Sequence, residues 1–398
     1  MQFARRMDQL GTETAFEVLA RARALEAQGR DVVHLEIGEP DFATPDHVIE
    51  AGCDALRNGY THYTPAPGIP ELREAIARDA TMRRGVEFSP DDVVVTPGGK
   101  PIMFYSILAL VDEGDEVIYP NPGFPIYESM IQFAGGRPVP IQIEEARDFS
   151  LDVDKLCGSI NERTRMVILN SPHNPTGGSL ARADVEALAA TLEQYPNVTV
   201  LSDEIYSRML YESEYISLAS LPSMRERTIV LDGFSKIYAM TGWRLGYGLF
   251  PRDLVAPVTR LMINSNSCTA AATQVAGVAA LTGSQEPSER MVAEFRRRRE
   301  VIVSGLNQIE GITCKMPRGA FYAFPNVTGT GFTSRELADL LLTQGGVATL
   351  AGTAFGAFGE GYLRLSYANS TEAIEKALAR IAETLAKIGR RAESGTPA

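Results

Sequence analysis

The chain has 398 residues, a formal net charge of −12, 44% hydrophobic residues and 22% charged residues. That length has room for one large domain and a smaller one. The acidic balance argues against a polyanion as main partner, because nucleic-acid binding needs a basic footprint.

The four cysteines, Cys53, Cys157, Cys268 and Cys314, are scattered and form no C-x-x-C pair. They suit neither a metal site nor a disulfide framework and read as reduced thiols of a cytoplasmic protein. The start, "MQFARRMDQLGTETAFEVLA", lacks the apolar core of a secretory signal, and no run of about 18 apolar residues is present to span a bilayer.

In chain order, "TAFEVLARARALEAQG" has helical spacing, and "DVVHLEIG" reads as a short strand running into the turn-rich "EPDFATP". Helices follow at Pro45 to Asn58 and in "IPELREAIARDATMRR", where Pro70 suits a first turn. "DDVVVTPGGKPIMFYSILAL" reads as strand, glycine turn and helix, "DEVIYP" as a strand, and "YESMIQFAGG" as a helix closed by glycines. "RMVILNSP", "NVTVLSDE" and "RTIVLDGF" are short β-rich apolar runs, with the helical "SLARADVEALAATLEQY" between the first two. Short apolar strands alternating with helices predict an α/β fold with a mostly parallel central sheet flanked by helices. From about Pro287 a long charged helix leads into "GAFYAFPNV", "SRELADLLLTQ", "VATLAG", "GYLRLSYA" and a final helix, a smaller α+β domain. Residues 46–285 are expected to form the large domain, and 1–45 with 286–398 the small one. The tail "GRRAESGTPA" reads as disordered.

In a parallel α/β sheet, ligands gather beyond the carboxyl ends of the strands. Those ends deliver Gly98, Gly99 and Lys100; Asn170 and Asn174; Asp203, Glu204 and Tyr206; and Ser235 and Lys236. "TPGGKPIMF" suits an anion at a helix start, although alone it reads more readily as a tight strand–helix turn. Val94 stands where a Walker A loop needs its first glycine, and no strand ends in G-x-G-x-x-G. An isolated Asp203 would read rather as a helix N-cap or a structural ion pair. A lone Ser-Lys pair usually lies on the surface. Here it follows "TIVLDGF", where burial lowers the lysine pKa and makes it a nucleophilic amine. Arg244 offers a rigid fork to a phosphate.

With "EPDFATP", "YTPAPGIPELREAI", "NSPHNPTGG", "SDEIY", "GFSKIYAMTGWRLGY" and "YLRLSYANS" in one order, the sequence resembles the class I/II, fold-type I aminotransferases dependent on pyridoxal 5'-phosphate. The resemblance covers nearly the whole chain. It implies transfer of an amino group from an α-amino acid to a 2-oxo acid, by a ping-pong cycle through a Schiff base on Lys236. Asp203 would pair with the pyridinium nitrogen. Asn174 and Tyr206 would bind the ring oxygen, while Ser235, Arg244 and the Gly99–Lys100 backbone would hold the phosphate. Tyr63 would reach a phosphate in the neighbouring subunit of a homodimer with shared sites. Arg364 would clamp the substrate carboxylate beside Gly38 and Asn174.

Phe124 takes the position of a ring-stacking tryptophan or tyrosine and weakens any specific assignment to aspartate. No second arginine dedicated to a side-chain carboxylate stands out, and Glu13 over the site would favour a neutral or basic side chain. A lyase of the same fold and a non-catalytic cofactor-binding sensor are the competing readings. The second is weakened by the lack of a basic segment. No metal is expected.

Overall fold

The computed structural model describes residues 1–212 and 214–389; the 390–398 tail, expected to be disordered, lies outside the described residues. The chain opens with α1 (Thr14–Glu26), β1 (Val33–His34), α2 (Asp46–Arg57) and α3 (Pro70–Arg84). It continues through β2 (Val93–Thr96), α4 (Lys100–Leu110), β3 (Glu116–Asn121), α5 (Ile126–Phe133), β4 (Arg137–Gln142) and α6 (Val153–Ser159). Next come β5 (Thr164–Asn170), α7 (Arg182–Leu192), β6 (Thr199–Asp203), β7 (Thr228–Gly233), β8 (Gly246–Leu249), α8 (Arg252–Asn266) and α9 (Ala271–Thr282). The last part holds α10 (Glu286–Leu306), β9 (Tyr322–Ala323), α11 (Ser334–Leu340), β10 (Val347–Ala348), β11 (Leu350–Ala351), β12 (Leu363–Ser366) and α12 (Thr371–Ile388).

Seven strands form the central sheet in the order β2-β8-β7-β6-β5-β3-β4. All run parallel except β8, which is antiparallel to both β2 and β7. The continuous apolar runs are explained by burial on both faces. Along β5, Met166 and Ile168 pack with Ile102, Met103 and Val258 on one side, whereas Val167 and Leu169 pack with Val185, Leu188 and Leu192 on the other. The strand period of two thus sends alternate residues into different cores.

β8 was not expected, because its sequence "GYGL" has little strand propensity. A Cβ on Gly246 would lie 2.5 Å from the Gly98 carbonyl carbon and 2.6 Å from the Gly99 nitrogen. Glycine there admits the backbone of the turn after β2. Helices α8 and α9 also escaped the periodicity reading; α9, "AATQVAGVAALT", is apolar nearly all round and carries no polar stripe.

Outside this sheet the expected strands are shorter. "DVVHLEIG" contributes only Val33–His34, paired in parallel with Val347–Ala348. "GAFYAFPNV" contributes only Tyr322–Ala323, in a small antiparallel sheet with β12 and β11. The N-terminal segment and the C-terminal part are further tied by Asn369 Nδ2 donating to His34 O at 3.0 Å and by Ser366 N donating to Leu35 O at 2.8 Å.

Candidate active site

The parallel strands bring their carboxyl ends to one edge, and a cavity of about 520 Å³ opens there. Asn170, the last residue of β5, is in register with Asp203, the last residue of β6. Ser235 and Lys236 follow the end of β7, and Gly99 precedes α4 after β2. From the other side, β12 sends in Arg364 and the segment after β1 brings Gly38. Of the candidate site residues, Gly38, Gly99, Lys100, Phe124, Asn174, Asp203, Tyr206, Ser235, Lys236, Arg244 and Arg364 all line this cavity. Tyr63 does not: its side chain is 89% exposed, away from the cavity of its own chain.

Asp203 is buried, and its Oδ2 accepts from the Tyr127 hydroxyl at 2.6 Å while Oδ1 accepts from Ile205 N at 3.3 Å. It forms no ion pair among the described residues, so it is not the structural salt bridge that an isolated Asp would suggest. Burial pushes its carboxyl up to about 6. Such a group calls for a cationic N–H partner. Directly behind it, Arg84 Nε bonds Glu204 at 2.7 Å and Arg84 Nη2 bonds Asp232 at 2.8 Å. Burial opposes ionisation of Asp232, but the Arg83 and Arg84 guanidiniums more than offset it and hold this carboxyl low. This buried ion cluster ties the start of the loop after β6 to the end of β7, and so fixes Asp203 relative to Lys236.

Lys236 is half-buried, with its ammonium donating to the Gly38 carbonyl. Loss of solvation, helped by the Arg364 guanidinium, brings it down to about 8, within reach of a neutral nucleophilic amine. Arg364 is 4% exposed; its Nη1 donates to Asn174 Oδ1 at 3.2 Å and its Nη2 to the Glu36 carbonyl. Arg364 Nε is buried without a hydrogen-bond partner among the described residues. The guanidinium carbon lies 4.5 Å from the Tyr322 ring centroid, which sets its plane.

Arg244 has φ 55, the left-handed region that costs a non-glycine residue about 1–2 kcal/mol. Its guanidinium thereby turns back over the glycine turn, where a Cβ on Gly98 would meet Nη2 at 2.3 Å. The N-cap of α4, Gly99, supplies no capping side chain; Pro101 has no N–H and Ile102 N donates to the Gly99 carbonyl at 3.0 Å, which leaves the Gly99 and Lys100 N–H groups for an anion.

The donor set fits pyridoxal 5'-phosphate. An arginine, a serine and a helix start face the place a phosphate needs, the buried Asp203 suits a ring N–H⁺, and the lowered Lys236 suits an aldehyde.

Three contributors were missed by motif reading. Tyr127 lies in a stretch whose sequence indicates only a helix, yet it bonds Asp203. Tyr322, inside "GAFYAFPNV", bonds the Tyr206 hydroxyl at 2.6 Å. Asn170, seen as a strand end but given no role, accepts from Asn174 N at 2.9 Å and donates to Asp203 O at 3.1 Å. A tyrosine followed in space by a buried carboxylate leaves no linear signal.

The profile described as aminotransferase class I and II matches residues 30–381. An aspartate aminotransferase of Rhizobium meliloti is 37% identical over 390 residues, covering 95% of each chain. The crystal structure of the aspartate aminotransferase from Rhizobium meliloti superposes with a TM-score of 0.92 at 36% identity, over 97% of this chain and 99% of that one. An aromatic aminotransferase from Pyrococcus horikoshii matches with a TM-score of 0.87 at 38% identity, over 92% and 99%.

Proposed function

This chain belongs to the aminotransferase class I and II family, and from that premise we propose how its residues divide the work of the reaction. It is a pyridoxal-phosphate-dependent transaminase that moves the amino group of an α-amino acid to a 2-oxo acid. The cofactor supplies an aldehyde that condenses with amines and a ring that withdraws electrons from the substrate α-carbon.

Lys236 would hold the cofactor aldehyde through Nζ and, as a free amine, would move a proton to and from the substrate α-carbon. Its pKa of about 8 lets it act in both directions near neutral pH. Asp203 keeps a proton on the ring nitrogen by its charge, with Tyr127 and Ile205 N fixing its orientation. Tyr206 and Asn174 would bind the ring oxygen, and Phe124, which lines the same cavity, would lie against the ring. Ser235, Arg244, Gly99 and Lys100 would hold the phosphate, the last two through backbone N–H groups. Arg364 clamps the substrate carboxylate, with Gly38 and Asn174 beside it. Gly38 also excludes bulk: a Cβ there would meet the Tyr322 hydroxyl at 2.2 Å.

Among the described residues, 46–285 would make up the cofactor-binding domain, and 1–45 with 286–389 the smaller one. The working unit is a cytoplasmic homodimer in which Tyr63, 89% exposed on its own subunit, completes the partner's phosphate site. The four free cysteines accord with a reducing compartment.

The observation that carries this reading is the pairing, in one cavity, of a buried carboxylate lacking a basic partner with a lysine whose ammonium is weakened. Borohydride reduction of the loaded protein, followed by peptide mass analysis, tests it. The cofactor is expected on Lys236, and attachment at another lysine would refute the assignment.

A further inference from the structure

Next to the carboxylate clamp lies a buried acid that the roles just assigned do not use. The extended segment beginning with β1 runs between β10 and β12: Leu35 N donates to Ala348 O at 3.0 Å, and Leu35 O accepts from Ser366 N at 2.8 Å. His34 and Glu36, two residues apart, turn to the same side of it, and His34 Nδ1 meets Glu36 Oε1 at 2.7 Å. The Glu36 side chain is 0% exposed, and its main-chain carbonyl is the group that accepts from Arg364 Nη2. Glu36 Oε2 and Arg364 Nε are both buried without a hydrogen-bond partner among the described residues.

We propose that Glu36 is the buried counter-charge of Arg364 and that His34 switches it: a protonated His34 engages Glu36 and leaves the guanidinium to the substrate carboxylate, whereas a neutral His34 lets Glu36 compete for it. Glu36 is then a positioning residue for the clamp, and affinity for the α-carboxylate follows the protonation of a partly exposed ring. The proposal rests on the clamping role given to Arg364 above and adds what sets its strength.

Three observations carry it. First, the geometry at His34 is that of an imidazolium. Its Nε2 meets Glu26 Oε1 at 3.1 Å while Nδ1 meets Glu36, and an ionised carboxylate only accepts, so both ring nitrogens donate. A neutral ring has one N–H and must give up one of the two carboxylates. Second, the charge of Glu36 is felt at the clamp. Burial opposes the charge on Arg364, and Glu13 and Glu36 are carboxylates that act the other way. Glu13 is taken by Lys100, which leaves Glu36. Third, His34 can exchange its proton with water, since its side chain is 29% exposed while Glu36 and Arg364 are buried. Burial alone would lower the imidazolium, but the Glu36 and Glu26 carboxylates outweigh it and hold His34 above the usual 6.5. The neighbouring elements add little: β10 sets Ala348 opposite His34, and on α12 Lys376 and Arg380 are bound to Asp31.

Calorimetric titration of succinate and 3-phenylpropionate into the loaded protein, from pH 6 to 9, reads the coupling. His34→Gln and Glu36→Gln are compared with native protein at each pH, so that titrations common to all three cancel. For the tighter bound of the two ligands, His34→Gln should be about fivefold weaker than native protein at pH 6 and equal to it at pH 9. Glu36→Gln removes the competing charge; it should match native protein at pH 6 and bind about fivefold more tightly at pH 9. By reciprocity, saturating ligand should raise the His34 midpoint by about 0.7 pH unit, the logarithm of the same factor. NMR of ring-labelled histidine measures that midpoint, with the signal assigned by its loss in His34→Gln.

A His34→Gln protein weakened by one factor at every pH has lost only structure. That result, or an affinity unchanged throughout, overturns the proposal and leaves Arg364 its role. A Glu36→Gln protein weaker than native at pH 9 overturns it too. Native affinities no greater than those of Arg364→Met would remove the clamp itself, and the proposal with it.

Discussion

Asn at position 203 should stabilise the cofactor-free protein while disabling the enzyme. The Asp203 carboxyl titrates at about 6 in the folded state against an ordinary 3.8, because burial penalises its charge. A folded-state pKa raised in this way favours folding fully below pH 3.8, and that contribution is lost as the pH rises through about 6. At about 1.36 kcal/mol per pH unit, the ionised carboxylate costs the empty protein about 3 kcal/mol at pH 8. Asp203→Asn removes the charge and keeps the shape. The amide oxygen can still accept from Ile205 N, and the Tyr127 hydroxyl can turn to accept from the amide N–H. One altered hydrogen bond offsets about 1 kcal/mol of the gain.

Urea denaturation of the cofactor-free proteins from pH 5 to 8 reads the difference. The native protein should lose stability across pH 6 relative to Asp203→Asn, which should be the more stable of the two at pH 8 by about 2 kcal/mol. Adding pyridoxal phosphate should reverse the order, because only the native carboxylate gains a cationic partner. An Asn variant that is less stable at pH 8 without cofactor would refute the argument. Parallel pH dependence of the two proteins would do the same.

Further outcomes follow from the same geometry. The rate at which cofactor-free protein captures pyridoxal phosphate should climb with pH and level off above about 8, where Lys236 is neutral; stopped-flow absorbance measures it, and a flat profile contradicts the lowered amine. Gly246→Ala places a methyl 2.5 Å from the Gly98 carbonyl carbon, so the phosphate turn must shift. The overpacking costs about 1–3 kcal/mol, and cofactor affinity measured by dialysis should fall at least about tenfold. Arg84→Met leaves Glu204 and Asp232 buried without their shared guanidinium, and about 3–5 kcal/mol of stability should be lost in urea denaturation.

The reach of the sequence is uneven for physical reasons. Asp203, Lys236 and Asn174 were legible because each stands at or just after an apolar run whose end must face the ligand edge of a parallel sheet. Arg364 and Tyr63 were reached only through resemblance, since neither lies in a stretch whose periodicity says where it points. Tyr127 and Tyr322 went unread because their roles depend on contacts with Asp203 and Tyr206 that are 76 and 116 residues away in the chain. β8 went unread because its glycines were chosen for close backbone approach, which erases strand propensity. The family resemblance puts the N-terminal segment over the site, and Glu13 does line the cavity. Its pairing with Lys100 spans 87 residues and has no local signature.

The most direct test of the central claim follows a ¹⁵N-labelled amino group. With pyridoxal phosphate bound, native protein given a labelled neutral amino acid and an unlabelled 2-oxo acid should deliver the label to the oxo acid in equimolar exchange, and Lys236→Ala should not complete repeated cycles. Steady release of labelled ammonia without an oxo-acid acceptor would contradict transamination, and repeated turnover by Lys236→Ala would contradict the role given to the lysine.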